Sequence, residues 1–359
     1  MDSISVVTRH KRYSVHIGPG LLSAVGPLSL GSCAPETAMV VSDSNVAPLY
    51  AAAVTASLQR AGFTPQLHVI EAGEASKNTA ALVELLHHMA RCSLTRGSAV
   101  FALGGGVTGD LAGLAASLYM RGLPLIQLPT SLLAAVDSSV GGKTAVDLEE
   151  GKNLVGTFYQ PDLVMCDTET FSTLPAPQIS NGFGEIIKTA MVFDAALFDL
   201  AAGSEACGHL QCLAARCVEL KKSVVERDEL EDGPRQILNF GHTFGHAVEQ
   251  CSGYGLPHGF CVAMGMALIT GACRKRGICT AETELRLRNA LKARGLPVKT
   301  PYGAEQIFSA VLSDKKRRGD FLTLILPRKI GQAERRRVSL QEARAFLEDG
   351  LAATKEDEQ

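Results

Sequence analysis

The sequence lacks a long apolar run. Nowhere do about 18 apolar residues follow one another, as a bilayer span requires, and the N-terminal MDSISVVTRHKR has no hydrophobic stretch of the signal-peptide kind. Net charge is also nearly absent. A formal value of −2 speaks against a general binder of nucleic acid or anionic membranes, so any positive patch must be local and built for one ligand. Ten cysteines are present without a single CxxC pair. Cys207, Cys212 and Cys217 step by five, which turns them apart on a helix. Their Ala/Leu/Val-rich settings read as buried thiols in a reducing compartment, with no disulfide framework. These absences predict a soluble, cytoplasmic protein. What is present is globular in kind, with 46% hydrophobic, 20% charged and 5% aromatic residues. At 359 residues the chain is long for one core, so two domains are expected.

The first half alternates strand and helix patterns. Ile4–Val7 and Tyr13–Ile17 read as strands around a charged turn. Ala38–Ser42, Leu67–Ile70, Ser98–Leu103 and Leu125–Leu128 read as compact strands, with helices over Val46–Ala61 and Thr79–Cys92. Ser98–Leu103 has no polar alternation, as expected of a sheet covered on both faces. The rhythm predicts a parallel, doubly wound α/β domain. Gly104, Gly106 and Gly109 fit G-x-G-x-x-G between a strand and a small-residue helix, Asp110–Leu118. Placed so, they let backbone N–H groups and a helix N-terminus approach a pyrophosphate. The usual acidic residue about 20 positions on is missing; Pro129-Thr130 stands there. Asp43, closing an earlier strand, is the better candidate for a ribose hydroxyl, or else caps the following helix. Glu74 and Lys77 lie on the next loop at the same sheet edge. In PTSLLAAVDSSVGGK and the following Gly151-Lys152-Asn153, Asp137, Lys143, Lys152 and Asn153 interrupt a small and apolar tract. Two lysines beside glycines read as anion grips. Arg121 is a surface charge or a further grip.

After LPAPQ (Leu174–Gln178), a hinge by composition, the pattern turns helical: Ile179–Met191, Ala195–Ala202, His209–Glu226, Gln236–Cys251, Cys261–Arg276, Thr280–Ala293, Ala304–Ser313 and Ser339–Glu348, with a late hairpin at Phe321–Leu326 and a tail from Thr354. Domains are therefore expected at 1–176 and 177–359. Within LNFGHTFGHAVEQCSGYGLPH, one helix puts Asn239, His242, His246 and Glu249 on one face. Two imidazoles a turn apart, with His258 past a Gly/Pro loop, point to a metal or to core histidines bonded to backbone. Glu185 and Lys188 in GFGEIIKTAM form an i,i+3 pair, on the surface or buried with Glu185 available to a cation. Lys221, Lys222, Arg235 and the run Lys315–Arg318 add positive charge, of which Arg317 and Arg318 read as solvated. A substrate with two anionic groups and an oxidisable hydroxyl would use metal, cations and dinucleotide together.

DSSVGGKT, GKNLVG, GEIIK, LNFGHTFGH and the later HG, in this order from about Asp43 to Lys316, resemble the 3-dehydroquinate synthase family of the shikimate pathway. The resemblance implies a Rossmann-like N-terminal α/β domain with a parallel sheet and a mostly α-helical C-terminal domain. It implies NAD in the cleft, a divalent metal (Zn2+ or Co2+), and conversion of 3-deoxy-D-arabino-heptulosonate 7-phosphate to 3-dehydroquinate and phosphate. By motif, the metal ligands would be Glu185, His242 and His258, and His246 would face substrate instead. Lys143, Lys188, Lys221, Arg235 and Asn239 would line the substrate. Lys152, Asn153 and one of Lys315 and Lys316, the latter favoured, would hold its phosphate. Asp43, Glu74, Lys77, Gly104, Gly105, Gly106, Asp110, Thr130, Ser131, Asp137, Lys143 and Lys152 would surround NAD. Arg121 would reach the phosphate of a neighbouring subunit, implying a homodimer. Phe260 stands where the family often has a polar residue. The rivals are a sugar-phosphate cyclase of the aminodehydroquinate or valiolone type, a metal-dependent polyol or alcohol dehydrogenase, and a nucleotide-binding scaffold without catalysis. The dehydrogenase would not need the cations.

Overall fold

A computed structural model describes residues 1–313 and 320–356. The chain folds as two compact units, one made of Met1–Leu174 with Lys221–Leu230, the other of Pro175–Leu220 with Glu231–Gln359. Among the described residues no helix is long and apolar enough to cross a membrane.

The first unit carries β1 (Asp2–Val7), β2 (Arg12–Gly18), β3 (Thr37–Asp43), β4 (Thr64–Ile70), β5 (Ala99–Gly104), β6 (Leu125–Pro129), β7 (Lys143–Leu148), β8 (Gly151–Phe158) and β9 (Leu163–Asp167). Seven form one sheet in the order β1-β2-β9-β6-β5-β3-β4. Only β1 and β2 pair antiparallel; every other neighbour is parallel. The apolar run of β5 is explained by what covers it. Ala99, Phe101 and Leu103 pack on one face with Val54 and Leu58 of the helix Ala47–Arg60. Val100 and Ala102 pack on the other with Leu85 and Met89 of Thr79–Arg91 and Leu111 and Ala115 of Gly106–Leu118. Successive strand residues alternate faces, so two covered faces leave no polar position. The helix after β3 and the helix after β5 thus lie on opposite faces, and the sheet winds in opposite senses from the β3/β5 junction. Ligands of open α/β sheets bind at the strand ends of such a junction.

Two expectations for this unit need correction. The glycine helix begins at Gly106 rather than Asp110, because Gly105 is already its extended N-cap. Gly109 consequently sits inside the helix, where a Cβ would lie 2.9 Å from the Gln127 side chain on β6, so its role is helix-to-strand contact. Second, β7 and β8 form a separate antiparallel hairpin that the sequence reading did not identify. In the second unit, of the three cysteines read as buried thiols, Cys217 is buried but Cys207 and Cys212 are exposed.

Among the described residues the second unit is helical apart from the hairpin of β10 (Phe321–Lys329) and β11 (Gln332–Ser339), which falls where the late hairpin was expected. Asp194 ends the helix Ala176–Phe193 and caps the next, its Oδ1 accepting from the N–H groups of Ala196 and Leu197 at 2.9 and 3.1 Å. The helix His258–Lys275 is buried on all sides from Cys261 to Cys273. The last helix runs to Glu356, past the expected end at Glu348, since Ala353 and Thr354 are buried rather than part of a solvated tail. The most consequential correction concerns Gln236–Cys251, which is not one helix. A 3-10 segment, Pro234–Asn239, and an α-helix, His242–Cys251, are separated at Gly241, whose φ is 76°. Asn239 therefore does not share a helical face with His242, His246 and Glu249.

Candidate active site

Among the described residues, a group of converging histidines and carboxylates lies in the second unit and draws on three helices. Glu185 comes from Ala176–Phe193, His242, His246 and Glu249 from His242–Cys251, and His258 opens His258–Lys275. The helices approach through glycines beside the donors. A Cβ on Gly184 would stand 2.6 Å from the Gly259 carbonyl oxygen, and one on Gly259 would overlap the Asn181 carbonyl oxygen. One on Gly265 would overlap the carbonyl oxygen of Gly241. Asn181 also accepts, through Oδ1, from the Gly259 N–H at 2.6 Å, tying the first turn of one helix to the flank of another. Backbone contact thus sets where Glu185, His242 and His258 stand.

One ring nitrogen from each of His242, His246 and His258 lies within 4.8 Å of the others. Glu185 Oε1 is 3.3 Å from His258 Nε2 and 3.7 Å from His242 Nε2. His242 Nδ1 faces the Phe240 carbonyl oxygen at 3.1 Å. A carbonyl only accepts, so Nδ1 donates and Nε2 carries the lone pair of the neutral ring. The reading of core histidines bonded to backbone therefore holds for one nitrogen of His242 and leaves the other turned to Glu185. Both Glu185 oxygens are buried, and neither accepts a well-aligned hydrogen bond. The Lys188 ammonium touches Oε2. Burial resists ionisation of Glu185, but Lys188 and then His258 outweigh it and hold the carboxyl at about 2. Burial pulls His258 down, yet Glu185 and Glu249 push it up to about 10. A buried carboxylate with converging imidazoles fits a divalent cation of borderline softness, such as zinc or cobalt.

Around this group the second unit places Lys188, 2% exposed, and Arg235, 1% exposed, on elements packed against each other. Asn239 donates through Nδ2 to Glu231 Oε1 at 2.6 Å. Glu231, at φ 63°, was missed by sequence reading. In EDG it looks like a solvated turn residue, and its bond to Asn239 is what marks it.

The first unit gathers the dinucleotide candidates at the β3/β5 junction. Thr108 Oγ1 donates to Asp43 Oδ2 at 3.3 Å across it. Asp43 Oδ1 accepts from the N–H groups of Asn45 and Val46, so the capping role is present and occupies one oxygen. Thr130 N–H donates to the Gly104 carbonyl at 3.0 Å, joining the ends of β5 and β6. A Cβ on Gly105 would stand 3.5 Å from Ser131 Oγ, and one on Gly106 would stand 3.2 Å from Ser138 Oγ. A second network links Lys77 to Asp110 at 2.5 Å and to Asn153 Oδ1 at 2.6 Å, and Lys152 to Glu74 at 2.9 Å. Burial pulls the Lys77 ammonium toward neutrality, but Asp110 and Glu74 outweigh it and raise its pKa. Asp147 Oδ1 receives the Asn153 N–H at 2.7 Å, with Asn153 at φ 55°. Lys221, counted in this unit by its contacts, donates to the Asp137 carboxylate at 2.8 Å and carbonyl at 2.6 Å. Lys143 opens β7 and is exposed. Arg121 is exposed at φ 68°, behind Met120 at 51° and ahead of Gly122 at 124°, outside both networks. Lys315 and Lys316 lie outside the described residues.

Known proteins match this chain over nearly its whole length. Residues 67–181 match the profile described as 3-dehydroquinate synthase N-terminal, and residues 182–317 the one described as 3-dehydroquinate synthase C-terminal. A 3-dehydroquinate synthase of Enterococcus faecalis is 42% identical over 341 residues, covering 93% of this chain and 95% of that protein. The solved 2-epi-5-epi-valiolone synthase of Streptomyces hygroscopicus, with NAD+ and Zn2+ bound, superposes with a TM-score of 0.88 at 30% identity, covering 98% of this chain and 99% of that one. A 2-deoxy-scyllo-inosose synthase complexed with carbaglucose-6-phosphate, NAD+ and Co2+ superposes with a TM-score of 0.87 at 26% identity, covering 98% and 100%. On the two matching profiles and this identity, the chain belongs to the 3-dehydroquinate synthase family.

Proposed function

We propose that the chain catalyses the 3-dehydroquinate synthase reaction, a phosphorus–oxygen lyase step of the shikimate pathway. It converts 3-deoxy-D-arabino-heptulosonate 7-phosphate to 3-dehydroquinate and phosphate through transient oxidation, phosphate elimination, re-reduction and aldol cyclisation. The observation that carries this is the convergence of Glu185 Oε1 with the Nε2 atoms of His242 and His258, beside the buried Lys188 and Arg235, in a chain of this family.

Residues 1–176 are read as the NAD-binding domain and 177–359 as the metal- and substrate-binding domain. Glu185, His242 and His258 would hold Zn2+ or Co2+. Gly104–Gly106, Asp43, Glu74, Lys77, Asp110, Thr130, Ser131, Asp137, Lys143 and Lys152 would hold NAD. When bound, NAD supplies a reversible hydride acceptor for the C5 hydroxyl, and the metal a Lewis acid for its oxygen. The buried Lys188 and Arg235, with Lys143, Lys221 and Asn239, orient the substrate. Lys152, Asn153 and Lys316 grip the phosphate. Tight cationic positioning of this kind replaces a strong side-chain base, because the departing phosphate can take the C6 proton itself. His246 assists proton transfer at a ring nitrogen. A homodimer in the cytoplasm completes the reading, with Arg121 serving the neighbouring subunit; its exposure on a left-handed turn supports this.

The test supplies the heptulosonate phosphate with zinc and trace NAD. Phosphate is expected to accumulate far beyond the nicotinamide present, with no build-up of NADH. Phosphate released without nicotinamide, or NADH formed mole for mole as a polyol dehydrogenase would form it, refutes the proposal. His242→Ala is expected to abolish metal binding. His246→Ala should keep near-normal metal content while losing turnover by about 10²–10⁴-fold, the range of a general acid–base contribution. Metal analysis of the two purified variants separates the ligand from the proton-transfer residue.

A further inference from the structure

Glu249 has no part in the chemistry above, yet it is 4% exposed on the helix that carries His242 and His246. It follows His242 by seven residues, two helical turns, and so looks out on the same side. A carboxylate buried there is costly unless it has a specific partner. Its Oε2 lies 3.4 Å from His258 Nδ1. An ionised carboxylate only accepts, so His258 Nδ1 must donate. The other nitrogen, Nε2, is the one that faces Glu185 Oε1 at 3.3 Å. His242 shows the same plan with a different anchor, its Nδ1 on the Phe240 carbonyl and its Nε2 toward Glu185. Two imidazoles thus converge through Nε2, one fixed from behind by backbone and the other by a side chain. His258 needs that second anchor more, because it is the first residue of its helix and its side chain is 31% exposed.

We propose that Glu249 is a positioning residue, whose carboxylate keeps His258 in the Nδ1–H tautomer with Nε2 aimed at the metal position. The proposal rests on the metal reading given above. Partners of this kind orient a ligating histidine and raise its basicity. Because Glu249 and His242 share one rigid helix, the carboxylate also sets the His258 ring relative to the other histidine ligand.

The experiment strips the full chain with a chelator. It is then titrated with Zn2+ against a chromophoric competitor, and separately with Co2+ followed by visible absorption. Glu249→Ala is expected to bind Zn2+ about 10–100-fold more weakly, as loss of such a partner typically does, and to show shifted Co2+ bands. Glu249→Gln, whose amide oxygen still accepts from Nδ1–H, is expected to recover most of the affinity. If the alanine chain does not fold, Glu249→Met fills the volume without an acceptor and is expected to show the same weakening. A merely structural role would lower the unfolding temperature while leaving Zn2+ affinity and Co2+ bands at parental values, and that result overturns the proposal. His258→Ala serves as reference. If it binds zinc as the parent does, the metal reading itself fails. If it loses zinc while the alanine and methionine variants at 249 do not, only the role of Glu249 fails.

Discussion

Glu185→Ala is expected to remove the metal and, independently, to cost about 3–5 kcal/mol of folding stability, the usual penalty for breaking a buried ion pair from one side. Glu185 is fully buried and Lys188 is 2% exposed, one helical turn apart on a helix buried from Gly182 to Val192. Removing the carboxylate takes the nearest anion from an ammonium that water cannot reach. The stability loss should appear in urea unfolding of chelator-treated protein, where bound metal contributes nothing. The double variant Glu185→Met with Lys188→Met should regain most of that stability, since apolar side chains of similar volume often replace a buried pair at little cost. It should not regain metal. If the single variant unfolds within about 1 kcal/mol of the parent, the pair does not carry the energetic weight that its burial implies.

Gly259→Ala should strike the same centre without touching a donor atom. The added Cβ would overlap the Asn181 carbonyl oxygen, and backbone cannot rotate aside as a long side chain can. Overpacking of this kind costs about 1–3 kcal/mol. The larger effect should be on metal affinity, because relief of the overlap requires His258–Lys275 to move off Ala176–Phe193, which separates His258 from Glu185. Functional sites lose performance when donors shift by about 1 Å. Gly208→Ala is the control, since a Cβ there meets nothing within 4 Å. Zinc competition and thermal unfolding of the two variants should differ sharply. Equal behaviour would show that the glycine contact does not set the donor spacing.

Much of the first unit was legible in the sequence for a local reason. A strand covered on both faces can contain no polar residue, and β5 announces itself that way. The glycines after it mark the turn into a helix, although not its first residue, because nothing local distinguishes Gly105 as a cap from Gly106 as helix. The hairpin of β7 and β8 left no such mark. Most of β8 is exposed, so no alternation of apolar and polar positions identifies it. The histidine stretch misled in a different way. Leu238–Cys251 has an uninterrupted helical period, and the break at Gly241 comes from a neighbour: a Cβ there would lie 2.6 Å from the Met266 side chain and 2.8 Å from the Val262 carbonyl oxygen. A conformation imposed by a second helix cannot be read from the first. For the same reason the i,i+3 pair at Glu185 and Lys188 was equally compatible with a solvated surface until its helix was found buried all round. The choice of Glu185 with two histidines came from resemblance of motifs, not from spacing, which offered His246 as readily.

The glycine contacts also bear on how the centre can vary as the sequence drifts. Donor positions are encoded in the registration of three backbones, so the loop from Ser252 to Pro257 is free to change length or composition as long as His258 still begins its helix. A one-residue insertion inside that helix between Gly259 and Gly265 is another matter. It would turn one contact glycine about 100° away from its partner while the other stayed in place. Lineages descended from this chain should therefore accumulate insertions and deletions in the loop and almost none along the helix.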